Sequence, residues 1–236
     1  MNRQSADKKS LVIAIDGPAG AGKSTIAKLL AEHLKIRYLD TGAMYRALTW
    51  RALEEHIAIE DAAELAALFR RICMEVILAE QGQRILLDGI DTTPYLRLQK
   101  VSELVSPLSA HGEIRKIMVE KQRAMAVEGG IVLDGRDIGT VVLPDAPLKI
   151  YLTASLEERT RRRLKDYACQ GIQVCFCDLM QEIAARDLRD SSREHAPLLQ
   201  AKDAVYLDST TLNQAQVVEM IEELCRQRGF CTEVSL

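Results

Sequence analysis

The stretch IAIDGPAGAGKST, residues 13–25, places a glycine-rich turn between an apolar run and an amphipathic one. From Gly17 to Ser24 it matches the pattern G-x-x-x-x-G-K-[ST]. The run before the turn predicts a strand at residues 11–16, and the helical spacing of the apolar residues after it predicts a helix at residues 24–34. Backbone N–H groups that curl around such a turn form a nest for an anion, and the start of a helix adds to the attraction. The stretch therefore predicts a binding site for the phosphates of a nucleoside triphosphate.

The residue types in this loop suggest a role for each polar side chain. The Lys23 ammonium would contact the β- and γ-phosphates, and the Ser24 hydroxyl would bind Mg²⁺. The loop alone does not distinguish a GTPase, a motor protein and a kinase. The residues expected to contact the nucleotide are Gly17, Pro18, Ala19, Gly20, Ala21, Gly22, Lys23, Ser24 and Thr25.

The composition is that of an ordinary globular protein. Of the 236 residues, 47% are hydrophobic and 28% are charged. No apolar run approaches the roughly 18 residues that a membrane-spanning helix needs, and residues 1–10 form a polar tail without the apolar segment of a signal peptide. We therefore expect a cytoplasmic protein. The net charge of −3 argues against a general affinity for nucleic acid.

The cysteines give no sign of a metal site or of a disulfide framework. No C-x₂-C pair occurs, and no histidine stands near the cysteines at the spacing of a zinc site. In a reducing compartment, cysteines act as small, weakly polar side chains. We therefore assign neither a metal ion nor a disulfide to Cys73, Cys169, Cys175, Cys177, Cys225 and Cys231.

Short apolar runs alternate with amphipathic segments along residues 11–236, which predicts one α/β domain with a parallel sheet between helices. This is the three-layer P-loop NTPase type of fold. The five predicted strands lie at residues 11–16, 37–40, 131–134, 148–152 and 204–208.

Residues 57–97 interrupt this alternation. The spacing of Leu65, Leu68, Phe69 and Ile72 predicts a helix, and two apolar stretches on either side of Gly82 predict a hairpin. We interpret this region as a small subdomain inserted into the α/β core.

Three further segments combine arginines with acidic residues. YLDTGAMYRAL and VLDGRDIGTVV each follow a predicted strand, at the sheet edge where ligands bind in open parallel sheets. In the first, Thr41 is expected to cap the next helix. In EIAARDLRDSSREHAPL, the steps of four and three residues from Arg186 to Asp190 and Arg193 predict a shared helix face. Alternatively, that face is a solvated surface with salt bridges. For Asp134, which ends a predicted strand, a role as the acid near Mg²⁺ is an open alternative.

Together, GPAGAGKST, LDTGAMYRA, DGRDIGTVVLPDAPLKIYL and RDLRDSSREHAPL, followed by YLDST, resemble the bacterial cytidylate kinase family over residues 11 to about 224. The resemblance implies transfer of the γ-phosphoryl group of ATP, with Mg²⁺, to CMP or dCMP. It also implies that residues 57–97 lie on the CMP side and that residues 156–182 form a helical lid. Thr41 departs from the serine of many members but keeps the hydroxyl. We expect a monomer.

The resemblance also implies a role for each matching residue. Arg46, Arg136 and Arg193 would hold the CMP phosphate, and Asp40, Thr41 and Asp190 would contact the sugar or neighbouring groups. Ser106, Arg115 and Asp137 would recognise the base, where a carboxylate can accept from the exocyclic amine of cytosine. The transferring phosphoryl group would be contacted by Arg186 together with Arg162 or Arg163.

Two other functions remain open at this stage. Another P-loop kinase, for UMP, AMP or a shikimate-like acceptor, would have the same fold. A nucleic-acid-binding module is suggested by RTRRRLKD, but the segment from Ser155 to His195 carries eight basic and eight acidic residues. Such a balance argues against a phosphate-binding patch for a nucleic acid.

Overall fold

The computed structural model describes residues 10–79, 82–169 and 171–230. Most of the polar tail and Cys231 lie outside these ranges. The main elements, in chain order, are β1 (Val12–Asp16), α1 (Lys23–Leu34), β2 (Arg37–Asp40), α2 (Thr41–Glu54), α3 (Ala62–Arg71), β3 (Met74–Ala79), β4 (Gly82–Leu87), β5 (Ile90–Asp91), α4 (Gln99–Leu108), α5 (Gly112–Ala126), β6 (Ile131–Gly135), β7 (Leu148–Thr153), α6 (Leu156–Cys169), α7 (Phe176–Ser192), β8 (Val205–Asp208) and α8 (Gln214–Gln227).

Five strands form one parallel sheet in the order β2-β6-β1-β7-β8. The predicted α/β fold and its five strands are confirmed, each strand to within one residue at either end. The side chains of β1 alternate between the two faces, with Ile13 and Ile15 packing towards α1 and α8, and Ala14 packing towards α2 and α5. Helices therefore cover both faces of the sheet, as its continuous apolar strands require.

The parallel arrangement brings the carboxyl ends of the strands to one edge. Asp16 is aligned with Gly135 and Tyr151, and Asp40 is aligned with Asp134. The glycine-rich loop, the start of α2 and the turn at Arg136 all leave the sheet at this edge. The sheet itself thus gathers three of the segments that the sequence singled out.

The region at residues 57–97 contains the predicted helix, α3, and the predicted hairpin, β3 with β4. A third strand, β5, was not predicted and pairs with β4. Ile72 is not part of the helix, because its backbone is extended directly after α3. Leu65, Phe69 and Ile85 belong to the same apolar cluster as α2 and α5, so this region shares the core on that face of the sheet.

Helices α6 and α7 form a pair that packs on the glycine-rich loop. Leu179 and Ile183 of α7 contact Ala19 of the loop. Among the residues that the structure describes, no helix is long and apolar enough to span a membrane.

Candidate active site

The glycine-rich loop has the backbone conformation that its glycines allow. Gly17 has φ of 149°, and a Cβ there would lie 1.9 Å from the carbonyl oxygen of Leu152. The Lys23 side chain is buried, and its ammonium donates to the carbonyl of Pro18 at 2.8 Å. Burial and the nearby Arg136 guanidinium hold the pKa of Lys23 well below its usual value. An anion between these two cations would be strongly favoured.

Asp134, at the carboxyl end of β6, is the centre of a group of hydroxyls. Its carboxylate accepts from Ser24 and from Tyr38, each at 2.8 Å, and its carbonyl accepts from Thr41 at 2.6 Å. Burial, together with the charge of Asp40, raises the pKa of Asp134 to about 6. The structure therefore pairs the predicted Mg²⁺ hydroxyl with a carboxylate, which favours the alternative role that the sequence left open for Asp134.

The start of α2 differs from the prediction for Thr41. Asp40 is the N-cap, because its carboxylate accepts from the backbone N–H of Ala43 at 2.8 Å. Thr41 is the first residue of the helix, and its hydroxyl donates to the backbone carbonyl of Asp134 instead of capping the helix. Arg46 lies one turn further on, with its guanidinium 4.0 Å from the Asp40 carboxylate.

The guanidinium groups of Arg136 and Arg186 lie near Lys23, and that of Arg46 lies near Arg186. Burial, and then the charges of Arg136 and Arg46, lower the pKa of Arg186 to about 10. The Nε of Arg186 is buried and has no hydrogen-bond partner among the described residues. Because buried donors are normally satisfied, an unpaired guanidinium donor among other cations is the feature of a site built to receive an anion.

Asp190 connects helix α7 to helix α4 and to the turn after β6. Its carboxylate accepts from Nε of Arg136 at 2.9 Å and from the hydroxyl of Ser106 at 3.1 Å. Burial would raise the pKa of Asp190, but Arg136 and Arg186 outweigh it and the pKa is lowered. Ser106 is therefore bonded to Asp190, and not to the two residues with which it was predicted to recognise the base.

Arg193 does not lie on the helix face predicted for it. Helix α7 ends at Ser192, where the hydroxyls of Ser191 and Ser192 donate to carbonyls of the last turn. The extended backbone of Arg193 turns its side chain towards Asp137, 3.7 Å from the carboxylate. Arg193 thus forms its ion pair with Asp137, a residue that was predicted to recognise the base. Arg136 and Arg186 lie instead beside Lys23.

Arg115 and Asp137 form a buried ion pair. The Arg115 guanidinium also donates to the carbonyl of Ser109 at 3.0 Å and lies 5.5 Å from the ring centre of Tyr45. Three buried polar atoms have no hydrogen-bond partner in the part of the chain that the structure describes, namely the Tyr45 hydroxyl, Nε of Arg115 and Nη2 of Arg193. This corner therefore offers donors, a carboxylate and an aromatic face to a polar ring.

Arg162 and Arg163 occupy different positions on α6. The Arg162 guanidinium donates to the hydroxyl of Ser209 at 3.0 Å and to its carbonyl at 2.6 Å, and a Cβ on Gly22 would lie 3.8 Å from it. Arg163 stacks on the ring of Tyr167 at 4.9 Å. Arg162 is thus held beside the loop, and Arg163 contributes to the positive charge around Arg186.

Two positioning contacts were not predicted from the sequence. The Asp16 carboxylate accepts from the backbone N–H groups of Ile138 and Gly139, at 2.8 and 2.7 Å. The side-chain amide of Gln83 accepts from the N–H of Asp40 at 2.7 Å and donates to its carbonyl at 3.1 Å. The position of Asp16 directly before the glycine-rich loop was a usable signal, whereas Gln83 lies in a hairpin with no motif.

The structure does not gather the cysteines or other soft ligands into a site. Among the described residues, no group of three or more His, Cys, Asp or Glu side chains could hold a metal ion. The cysteines in the described ranges, Cys73, Cys169, Cys175, Cys177 and Cys225, carry free thiols.

The sequence profile described as Cytidylate kinase matches residues 13–227. The chain belongs to the cytidylate kinase family. Proteins named cytidylate kinase are 50% identical in an Exiguobacterium species over 93% of this chain and 98% of theirs, and 49% identical in Geobacillus kaustophilus over 94% and 99%. The Bacillus subtilis relative is 45% identical over 94% and 99%.

Solved structures give a weaker likeness. A shikimate kinase from Acinetobacter baumannii covers 93% of this chain and 95% of its own at 17% identity, with a TM-score of 0.45. Family membership therefore rests on the sequence relatives.

Proposed function

We propose that this protein transfers the γ-phosphoryl group of ATP to CMP or dCMP, giving CDP or dCDP. The observation that carries the proposal is the group of three cations formed by the buried Lys23 and the half-buried Arg136 and Arg186 beside the glycine-rich loop. Two polyanions must be brought together in this reaction, and buried cations screen their repulsion. The names of the relatives, cytidylate kinase, agree with this reaction.

On the donor side, we assign residues 17–25 to the triphosphate of ATP. The hydroxyl of Ser24 and the carboxylate of Asp134, which are 2.8 Å apart, fit Mg²⁺ because this ion prefers oxygen ligands and needs few from the protein. When bound, Mg²⁺ would neutralise charge on the β- and γ-phosphates. Arg162 and Arg163 are assigned to the same side, with Arg186 facing the transferring group.

On the acceptor side, we assign Arg46 and Arg136 to the CMP phosphate. Four further residues would hold these two arginines and contact the sugar, namely Asp40, Thr41, Ser106 and Asp190. The corner of Arg115, Asp137 and Arg193 would recognise cytosine. The sequence interpretation assigned Arg193 to the CMP phosphate. We now assign it to the base, because it forms an ion pair with Asp137. Residues 57–97 would border this side, and residues 156–182 would cover both nucleotides.

The proposed chemistry needs no general base. The second pKa of a phosphate monoester is near 6, so the attacking oxygen of CMP is already ionised at neutral pH. The side chains then have three tasks, which are to align the two phosphates, to stabilise the charge between them and to exclude water. Arginine suits these tasks because its guanidinium binds two oxygens at once and stays charged.

A panel of acceptors with ATP and Mg²⁺ tests the proposal directly. We expect ADP release with CMP and dCMP, much less with UMP and AMP, and none with shikimate. Lys23→Ala is the inactive control, and Lys28→Ala, on the exposed face of the same helix, is the matched active one. Preference for AMP or shikimate would identify a different small-molecule kinase. A cytoplasmic location and a monomeric state stay predictions.

Asp137→Asn tests the assignment of the base corner. An amide in place of the carboxylate can donate to the O4 of uracil, so the preference for CMP over UMP in kcat/KM is expected to fall by roughly tenfold or more. The measurement is kcat/KM for both acceptors in the variant and in wild type. An unchanged ratio would show that Asp137 does not recognise the base.

A further inference from the structure

Ala19 of the glycine-rich loop is bonded through both of its backbone groups to the helix pair α6–α7. Its N–H donates to a carboxylate oxygen of Asp187 at 3.0 Å, and its carbonyl accepts from Arg159 at 2.9 Å. Arg159 and Asp187 also form an ion pair with each other. We call this arrangement of Arg159, Asp187 and the Ala19 backbone the Ala19 clamp.

The surroundings of the Ala19 clamp are closely packed. Arg159 is 7% exposed and its Nε donates to the carbonyl of Ala154 at 2.9 Å. The Ala19 methyl group packs against α7. A Cβ on Gly20 would lie 3.3 Å from the Cβ and from the carbonyl oxygen of Arg159, so the loop and α6 are in direct contact there. The Arg159 side of the clamp is therefore closely constrained, whereas Asp187 is half-buried.

The clamp lies next to the side chain assigned to the transferring phosphoryl group. Asp187 directly follows Arg186, and Asp190, one turn later, is bonded to Arg136 and Ser106. Helix α7 is thus held at two points, by Asp187 to the donor loop and by Asp190 to the acceptor side. Arg186 lies directly before Asp187 and one turn before Asp190.

We propose that Asp187 and Arg159 are positioning residues, which set the place of the Arg186 guanidinium relative to the phosphate loop. This inference rests on the proposed kinase function. The guanidinium must meet charge that develops between donor and acceptor, and a displacement of about 1 Å is enough to reduce catalysis. CMP contacts depend on the other attachment, through Asp190, and are expected to persist when the clamp is broken.

Asp187→Asn breaks the clamp with little change in volume. The amide oxygen can still accept from Ala19, but the amide N–H₂ cannot pair with the Arg159 guanidinium. We expect kcat to fall by roughly tenfold or more, with KM for CMP changed by less than about threefold. Glu219→Gln, an exposed acid on α8 outside the segments assigned to the site, is the matched control and should keep wild-type values.

The decisive measurement is a double-mutant cycle with Arg186→Ala. If Asp187 acts through Arg186, adding Asp187→Asn to Arg186→Ala should lower kcat no further, so that the two effects are not additive. Additive losses, or a loss confined to KM for CMP, would overturn the proposal. Thermal unfolding of each variant checks the fold, and Arg159→Lys, which keeps the charge, should recover part of the kcat lost in Arg159→Ala.

The cycle separates this inference from the proposed function. Wild-type activity on the acceptor panel is measured first, and the cycle is then run with the best acceptor found, whatever it is. Failure with CMP would reject the proposed function alone. Additivity with the best acceptor would reject the role of the Ala19 clamp alone.

Discussion

The residues at the candidate active site share one property, which is that they bury charge. Asp16 and Lys23 are each 5% exposed, and Asp134 and Asp190 are each 4% exposed. Burial disfavours the charged form of a side chain, so these groups lower the stability of the fold unless partners offset the cost. Partners from distant parts of the chain surround them, and the arrangement favours ligand binding over stability.

Asp16→Asn should change the pH dependence of stability. Burial raises the pKa of Asp16 to about 6, above the ordinary value of 3.8, despite the N–H donors of Gly139 and Ile138. The folded protein therefore binds this proton more tightly than the unfolded chain does, and this contribution to stability is lost as the pH rises from about 4 to about 6. The asparagine variant lacks that titration.

The unfolding free energy of Asp16→Asn, relative to wild type, should accordingly shift in the variant's favour by about 3 kcal/mol between about pH 4 and about pH 7, since two pKa units correspond to that energy. Urea unfolding of both proteins across this range gives the difference at each pH. A difference that is constant with pH would contradict a raised pKa at Asp16.

The helices and strands place these residues through a small number of specific contacts. The hairpin of β3 and β4 contacts the start of α2 through Gln83, whose amide bonds both backbone groups of Asp40. Helix α2 then carries Thr41 and Arg46 into the site. The hairpin thus supports the helix that holds the proposed CMP phosphate.

Gln83→Ala should weaken acceptor binding without affecting the nucleotide donor. Loss of two hydrogen bonds, each worth about 1 kcal/mol, frees the start of α2. We expect KM for CMP to rise by roughly three- to tenfold, with kcat and KM for ATP nearly unchanged. Steady-state kinetics measures all three constants. The control is Arg84→Ala. Arg84 lies next to Gln83 in β4, and its loss removes an exposed ion pair to Asp91 of β5. An equal rise in KM for ATP would argue against this local role.

The elements were easier to predict than their contacts. Alternating apolar runs and the glycine-rich turn predicted the five strands because their signal is local. The two-residue strand β5 carries no such pattern. Asp187 reaches Ala19 across 168 positions of the chain and Asp16 reaches Gly139 across 123. Sequence spacing carries no information on such pairs, so neither the contact of Asp187 nor that of Asp16 could be predicted from the sequence.

At the scale of the whole molecule, the two apolar clusters lie on opposite faces of the sheet, and the polar site lies at its edge. Ligand binding should therefore stabilise the complete fold. With CMP at about 100 times its Kd, the unfolding free energy is expected to increase by about 2.7 kcal/mol. Thermal or urea unfolding with CMP measures this, and shikimate at the same concentration is the control. Equal stabilisation by both would contradict a CMP site.

The order of the strands has a consequence for how such an enzyme can diversify. The donor loop leaves β1 and the turn with Arg136 leaves β6, and these strands are immediate neighbours. Adjacent strands are about 4.8 Å apart, a spacing imposed by main-chain hydrogen bonding that no side-chain replacement alters. The backbone therefore keeps the start of the donor loop and the start of the Arg136 turn one strand spacing apart, and side-chain changes elsewhere in the cleft leave that spacing unaltered.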